Sequence, residues 1–178
     1  MEAITAAYDG DIQMIDSTSI RARQQGATGK RGGRDHCLGR SRGGITTNIH
    51  AVVDAKGFPI RLSLTAGQAH DGPAAFGLID PRTIVLADKA YYADGIRNPI
   101  EVQGAVPNIP AKSNRKWKPC FCKALYRQRN LIERFLSKLK HVPCIATRYD
   151  KLAESFLAVV QLLPGCCRIW HSAAIVPI

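Results

Sequence analysis

The segment from Tyr126 to Lys140 constrains the fold of this chain more than any other stretch of its sequence. It contains neither Gly nor Pro and consists mostly of good helix formers, so it predicts a helix. At about 100° per residue, Arg129, Glu133 and Lys140 fall within roughly a sixth of the circumference, beside the tyrosine that begins the segment. The adjoining face is apolar and comprises Leu125, Ile132, Phe135, Leu136 and Leu139. One helix therefore combines a stripe that faces a core with a polar seam that holds one carboxylate among cations.

That polar seam has two explanations. An ordinary amphipathic surface helix would carry an ion pair between Arg129 and Glu133, which are four residues apart. This explanation accounts for the charges but not for the presence of Tyr126 and Lys140 in the same narrow seam. The alternative is that all four side chains belong to one functional site beside the core.

Two other carboxylates follow apolar runs that are typical of buried strands. Asp16 follows the run that ends at Ile15, and Asp88 follows the run from Thr83 to Ala87. Ligand sites in α/β sheets gather outside strand ends, so both are candidate site residues. Taken singly, each is equally well explained as a turn or capping residue. A rival carboxylate, Asp71, is better explained as the cap of a helix.

The order of predicted elements indicates an α/β fold with a mixed sheet flanked by helices. Ile45–Val53 and Phe58–Thr65 are predicted to form a hairpin around the turn 54–57, next to the strand that carries Asp16. Three adjacent antiparallel strands would result. The basic segment Arg21–Arg42 is predicted to be a flexible loop. The remaining predictions are a helix opening at Asp71, a strand over Thr83–Ala87, a helix over Tyr91–Gln103, a strand over Ala105–Ile109, an end of the central helix near Lys140 before Pro143, and a last helix over Lys151–Leu163.

The charge balance indicates a polyanionic partner. The chain has 25 Lys and Arg against 14 Asp and Glu, a formal net charge of +11. Nucleic acid is the simplest partner for such an excess, and an anionic membrane surface is the competing one. Trp117 could stack on an unpaired base, although a core position is equally compatible with its sequence context. The candidate contacts in the two basic segments are Lys30, Arg31, Arg34, Arg40, Arg42, Lys116, Trp117 and Lys118.

Length and cysteine usage narrow the class of protein. At 178 residues and 46% hydrophobic content, the chain suits a single domain with a real core. The six cysteines lack the spacing of a zinc site, and no signal pattern opens the chain, so a reducing, cytoplasmic setting is expected. The apolar stretch 156–178 is interrupted by Gln161, Pro164 and Arg168, so we expect a core helix there and not a membrane span.

Several motifs together resemble a known family. The spacing Tyr126-x2-Arg129-x3-Glu133-x6-Lys140 resembles the signature around the last catalytic acid of bacterial insertion-sequence transposases of the DDE type. The similarity spans about Ile15 to Trp170 and keeps the order of the family. The other segments that carry it are Ile15–Ser19, Gly39–Thr47, Gly67–Asp71, Leu86–Lys89 and Ile145–Lys151.

The resemblance implies a ribonuclease H-like fold and a site. Residues 1–14 would be a short leader and residues 15–172 the catalytic domain, without the upstream DNA-recognition domain that the family usually carries. Asp16, Asp88 and Glu133 would be the catalytic carboxylates and the ligands of Mg²⁺ or Mn²⁺, which prefer oxygen donors. The resemblance further implies that three seam residues contact DNA phosphates, and that the arginine among them could orient the glutamate: Tyr126, Arg129 and Lys140.

The function implied by the resemblance is metal-dependent cleavage and transfer of DNA strands at insertion-sequence ends. The expected partner is double-stranded DNA, from transposon ends and from the target, and a second copy of the chain is a further candidate. The expected location is the prokaryotic cytoplasm, in association with the nucleoid. Two alternatives remain open: an inactive DNA-binding remnant of a transposase, and a ribonuclease H-like nuclease.

Overall fold

The computed structural model describes residues 11–23, 36–69, 77–113 and 119–162. Its seven strands are β1 (Ile12–Ala22), β2 (Gly39–Ser41), β3 (Gly44–Val53), β4 (Pro59–Ala66), β5 (Ile84–Leu86), β6 (Val106–Asn108) and β7 (Thr147–Arg148). The α-helices are α1 (Asp94–Val102), α2 (Lys123–Tyr126), α3 (Asn130–Lys140), α4 (Pro143–Ala146) and α5, which covers residues 153–162. Among these residues, none of the helices has the length and apolar character needed to cross a membrane.

All seven strands belong to one mixed sheet with β1 at its centre. On one side, β1 pairs antiparallel with β3, which pairs antiparallel with β4. On the other side, β1 pairs parallel with β5, which pairs parallel with β6. The order β4-β3-β1-β5-β6, three antiparallel strands followed by two parallel ones, is that of a ribonuclease H-like fold. The predicted α/β class and the three adjacent antiparallel strands are confirmed.

The predicted hairpin forms as the sequence indicates. One oxygen of Asp54 accepts hydrogen bonds from the backbone N–H groups of Lys56 and Phe58, at 2.9 and 2.8 Å. Gly57 has a φ of +83°, a conformation that costs glycine little and other residues considerably more. A carboxylate that caps its own turn and a glycine in the left-handed region therefore fix the register of β3 and β4.

The prediction of a loop over Arg21–Arg42 is partly wrong. β1 continues to Ala22, and β2 pairs with the first residues of β3. A charged residue does not prevent strand pairing, because the backbone makes the ladder while the side chain can extend into solvent. Arg40 illustrates this, since it lies within β2 and is exposed. Gly44, with a φ of +99°, allows the tight connection from β2 to β3.

Two of the predicted helices are interrupted near their starts. The helix predicted over Tyr91–Gln103 begins as a 3₁₀ turn at Lys89–Tyr92, is broken by extended backbone at Ala93, and continues as α1. The central helix, predicted as continuous, consists of α2, a 3₁₀ turn at Arg127–Arg129, and α3. Its predicted end at Lys140 is confirmed. β7 was not predicted, and the helix predicted to open at Asp71 lies outside the described residues.

The sheet separates two hydrophobic clusters. On one face, Met14 and Leu86 pack with the buried side of α3, which presents the predicted apolar stripe, and with α5. On the other face, Ile15 and Val85 pack with residues of the 3₁₀ turn and α1. Because strand side chains alternate between faces, Asp16 and Met14 share the face covered by α3.

Arg148 ties the end of the described chain to the sheet. Its side chain is fully buried, and its guanidinium lies over the ring of Phe156 at 5.2 Å. It donates hydrogen bonds to Thr47 Oγ1 at 2.7 Å and to the carbonyl oxygens of Asp150 and Lys151 at 2.9 and 3.0 Å. Within the described ranges no carboxylate forms an ion pair with it, so hydrogen bonds and the aromatic ring stabilise this buried charge.

We expect Arg148→Met to lower the free energy of unfolding by about 3 kcal/mol, because it keeps an apolar side chain but leaves buried acceptors without donors. Chemical denaturation measures the loss. The matched control is Arg134→Met at an exposed position of α3, which should change stability by less than about 0.5 kcal/mol. Equal stability of the two variants would contradict a structural role for the buried guanidinium.

Candidate carboxylate site

Two of the predicted carboxylates come from neighbouring strands. In the parallel register of β1 and β5, Met14 pairs with Leu86, and two further residues along each strand lead to Asp16 and Asp88. Asp88 lies just past the carboxyl end of β5, as predicted. Asp16 does not end its strand, because β1 continues beyond it in pairing with β3.

The site occupies a gap along one edge of β1. Opposite β3, this edge pairs with β5 up to Met14 and with β7 from Arg21 onwards. Between these two contacts, none of the described strands pairs with this edge of β1, and Asp16 lies in the gap. A strand edge without a neighbour leaves room for side chains to meet, in line with the tendency of α/β sheets to bind ligands beyond strand ends.

Arg129 connects this strand to the helix carboxylate. Its Nη2 lies 3.0 Å from Asp16 Oδ2, and its Nη1 lies 2.5 Å from Glu133 Oε1. The side chain of Arg129 is 11% exposed, that of Asp16 19%, and that of Glu133 56%. The predicted intrahelical pair is therefore present, and the same guanidinium also reaches a carboxylate 113 residues away in the sequence. Charge-assisted hydrogen bonds of this kind are among the strongest in proteins.

Tyr126 completes the contact between the helix and the strands. Its hydroxyl donates a long hydrogen bond of 3.4 Å to Asp88 Oδ1, and the guanidinium of Arg129 lies 5.9 Å from its ring centre. Burial raises the pKa of Tyr126, and the nearby Asp88 and Glu133 raise it further, against the lowering effect of Arg129. The phenol therefore remains a hydrogen-bond donor at neutral pH.

The carboxylate of Asp16 is electrostatically unusual. Burial raises its pKa, and the charges of Asp88 and Glu133 add to the increase. The backbone N–H of Ser17, 2.9 Å from Oδ1, and the charge of Arg129 lower it, but less in sum. The three predicted carboxylates thus interact electrostatically, and their negative charges disfavour one another.

Asp80 provides the contrast of a structural carboxylate. Its pKa is lowered, chiefly by the hydrogen bond from Arg61, whose Nη2 lies 2.6 Å from Oδ1. Gln13 donates a second hydrogen bond to it at 2.6 Å. Asp80 precedes β5, at the end remote from Asp88, and its hydrogen bonds link β4, β1 and the start of β5. Burial, with a smaller effect of like charges, thus raises the pKa of Asp16, whereas the hydrogen bond from Arg61 lowers the pKa of Asp80.

The oxygen donors of the site fit Mg²⁺ or Mn²⁺ in chemical type. Across residues 11–23, 36–69, 77–113 and 119–162, however, no three Asp, Glu, His or Cys side chains lie close enough to hold one ion together. Arg129 instead supplies the positive charge between Asp16 and Glu133. Binding of a divalent ion would require these carboxylates to exchange Arg129 for the ion.

The predicted DNA-binding residues are only partly brought to this site. Lys140 is exposed at the end of α3 and, among the described residues, makes no hydrogen bond or ion pair with the three carboxylates. Arg40 and Arg42 are exposed at β2 and in the turn after it, beside the extension of β1 and β3. The remaining candidates lie outside the described residues: Lys30, Arg31, Arg34, Lys116, Trp117 and Lys118.

Two contacts of the site were missed by sequence reasoning. The ring of Phe121 packs edge-on against that of Tyr126, with centroids 5.3 Å apart. The buried side chain of Asn108 bonds the backbone just before α2. A signal for Asn108 did exist, because it ends the strand after the one that precedes Asp88. No sequence signal pointed to Phe121.

Comparison with known proteins gives a consistent set of similarities. Residues 7–163 match the sequence model of the family described as Transposase DDE domain. A Brucella ovis protein named as a transposase for insertion sequence element IS6501 is 38% identical over 130 residues, which cover 71% of this chain and 98% of that protein. Two solved structures are also similar: a Mos1 transposase paired-end complex with left transposon end (15% identity, TM-score 0.38) and a pre-cleavage Mos1 transpososome (14%, 0.36). They cover 93% and 92% of this chain, which spans 57% of each solved chain.

We expect the pKa of Asp16 to rise further in Arg129→Gln, because the variant removes the cation that stabilises the ionised carboxylate. Carboxyl ¹³C NMR across a pH titration measures it. The folded-state pKa of Asp16 already exceeds the unfolded value, so ionisation of this carboxyl group opposes folding. Its unfavourable contribution to the free energy of unfolding should therefore be lost as pH falls through the folded-state pKa. The matched control is Arg97→Gln, which removes a buried arginine paired with Glu101 at the same four-residue spacing. A fall in the pKa, or equal values in both variants, would contradict this electrostatic account.

Proposed function

This chain belongs to the Transposase DDE domain family, and we propose on that premise that it cleaves and joins DNA strands at the ends of an insertion sequence. The observation that carries the proposal is the convergence of three carboxylates from distant segments at a gap in the sheet. Arg129 pairs with Asp16 and Glu133 there, and the hydroxyl of Tyr126 bonds Asp88. A stable core does not need three interacting carboxylates, whose mutual repulsion opposes folding. Such an arrangement is typical of a site for a cationic cofactor.

The proposed chemistry is phosphoryl transfer in two steps. Water attacks a phosphodiester, a new P–O bond forms, the bond to the 3′-oxygen breaks, and a 3′-hydroxyl is released. That 3′-hydroxyl then attacks a phosphodiester of the target, which joins the two DNAs and releases a second 3′-hydroxyl. No redox change occurs. In each step the attacking oxygen gives up a proton to solvent and the leaving 3′-oxygen takes one up.

The site residues would have different roles in this reaction. Asp16, Asp88 and Glu133 would hold Mg²⁺ or Mn²⁺, and a bound ion supplies activation of the attacking oxygen and stabilisation of the leaving one. Arg129, once released from its carboxylates, can donate two hydrogen bonds to a phosphate oxygen pair. Tyr126 would keep Asp88 oriented through its hydroxyl proton. These roles are what its family and the contacts support.

A second candidate function is DNA binding without strand chemistry. It is favoured by one observation: Arg129 pairs with both Asp16 and Glu133, so a cation of the chain itself already lies between these two carboxylates. The two functions differ in one property, since only the first requires the three carboxylates to bind a divalent ion.

We expect Mn²⁺ in 100-fold excess over its Kd to raise the melting temperature of the parent by roughly 5–10 °C, because a ligand of the folded state stabilises it. The increase should disappear in Asp16→Ala, and Mn²⁺-dependent cleavage of a terminal-repeat duplex should fall below detection. Differential scanning fluorimetry and a gel assay measure the two effects. A full increase in Asp16→Ala would place the metal elsewhere.

The helix glutamate offers a matched pair of variants for the same assays. Glu133→Gln and Glu101→Gln each remove the charge of a half-exposed glutamate that pairs with a buried arginine four residues earlier. We expect only Glu133→Gln to lose the Mn²⁺ shift and cleavage. If the parent cleaves DNA and both variants cleave it equally well, Glu133 is not the third ligand of the metal. If the parent itself does not cleave, the second function is favoured.

We expect binding to duplex DNA to weaken steeply with salt and to be similar for terminal-repeat and scrambled sequences, because phosphate contacts carry no sequence information. Arg40→Ala combined with Arg42→Ala should reduce the slope of log K against log salt by about 2. The charge-matched control is Arg134→Ala combined with Lys138→Ala. Both residues are exposed on α3, away from β2, and their loss should leave the slope unchanged. Salt-insensitive, end-specific binding would contradict this description.

A further inference from the structure

One buried amide side chain holds the start of α2. Asn108, the last residue of β6, is 5% exposed. Its Oδ1 accepts a hydrogen bond from the backbone N–H of Cys122 at 2.8 Å, and its Nδ2 donates one to the carbonyl oxygen of the same residue at 3.1 Å. Two bonds to both polar groups of one peptide position fix its orientation as well as its location.

The residue held in this way is the one from which the site helix begins. Cys122 is the N-terminal cap of α2, and it makes no side-chain capping bond of its own. Its carbonyl oxygen also accepts the backbone N–H of Tyr126, at 3.1 Å, as the first hydrogen bond of the helix. Asn108 therefore anchors to the sheet both backbone polar groups of the residue from which this helix begins.

A chain of hydrogen bonds connects Asn108 to one of the carboxylates. Asn108 pairs with Leu86 in the parallel register of β5 and β6, and Asp88 follows two residues after Leu86. Asp88 accepts a hydrogen bond from the hydroxyl of Tyr126. The backbone N–H of Tyr126 in turn bonds Cys122, which is held by Asn108. The buried amide therefore links the sheet to the helix at this end through two hydrogen bonds.

We propose that Asn108 is a positioning residue for the carboxylate site: it sets where the segment 121–133 lies against the sheet, and so brings Tyr126 to Asp88 and Arg129 to Asp16. The consequence for strand cleavage rests on the proposed function, whereas the positioning itself does not. Asn108 acts through Cys122 and has no contact with the carboxylates of its own.

The chemistry of the contact requires an amide of this length. Asn108→Asp keeps the shape and the bond from the Cys122 N–H, but sets a carboxylate oxygen against a carbonyl oxygen. Asn108→Ala removes both bonds. A matched control is Thr83→Ala, which removes a buried side-chain hydrogen bond, 2.8 Å to the carbonyl of Asp80, at the opposite end of β5.

The test compares the parent, the two Asn108 variants and Thr83→Ala by hydrogen exchange, DNA binding and Mn²⁺-dependent cleavage. In both Asn108 variants, we expect exchange to accelerate across residues 121–133 but not in the β1–β3 ladder. Cleavage at saturating DNA should fall roughly 100-fold, as for a small misplacement of reacting groups, with a Kd for DNA within about twofold of the parent's. Thr83→Ala should keep the exchange pattern of segment 121–133 and the parent's cleavage rate.

Unchanged exchange at 121–133 in Asn108→Ala would overturn the proposal, and so would a loss of cleavage equal to that of Thr83→Ala. If the parent does not cleave DNA, the proposed function fails and exchange alone decides the positioning role. Accelerated exchange confined to the Asn108 variants then supports it, and the same pattern in all variants overturns it.

Discussion

A single guanidinium shared between a strand and a helix is the constraint on which this site depends. Arg129 is almost entirely buried and holds Asp16 on β1 and Glu133 on α3 at the same time. Neither Asp16 nor Arg129 could be buried to this extent alone, because an unpaired charge away from water is costly. The helix must therefore lie where its arginine can reach the strand, and the position of Glu133 relative to Asp16 follows from that contact. Nε of Arg129 is buried without a hydrogen-bond partner among the described residues, so its two terminal nitrogens make the contacts with the carboxylates.

The sheet explains why the carboxylates can meet at all. β1 and β3 are eleven and ten residues long, whereas β5 and β6 have three residues each. The long pair gives the molecule a rigid centre, and the short parallel strands end early enough to leave part of one edge of β1 uncovered. Asp16 lies at that step, and Asp88 lies where β5 stops. Strain is absent from this design, since both residues sit on ordinary extended backbone and only their charges oppose one another.

The sequence predicted the parts of this molecule whose causes are local. Helix periodicity identified the apolar stripe of α3 and the pair between Arg129 and Glu133, and turn chemistry identified the hairpin at Asp54 and Gly57. It failed where a distant partner decides the outcome. β2 forms because β3 offers it a ladder, and Arg129 turns inward because Asp16 lies 113 residues away in the sequence. Asn108 lies at a strand end, which was an available signal, but its partner Cys122 is a backbone position, which residue types do not identify.

The helix α3, which covers one face of the sheet, is synthesised after the strands that it covers. Met14, Ile49 and Leu86 belong to a cluster whose cover, Ile132, Phe135, Leu136 and Leu139, is translated only after all of these strands. A nascent chain therefore carries an apolar sheet face for most of its elongation, and contacts of such long sequence separation form slowly. A chain that ends before this helix would expose that apolar face and would lack both Arg129 and Glu133. One and the same helix therefore closes the core and brings Arg129 and Glu133 to the strand carboxylate.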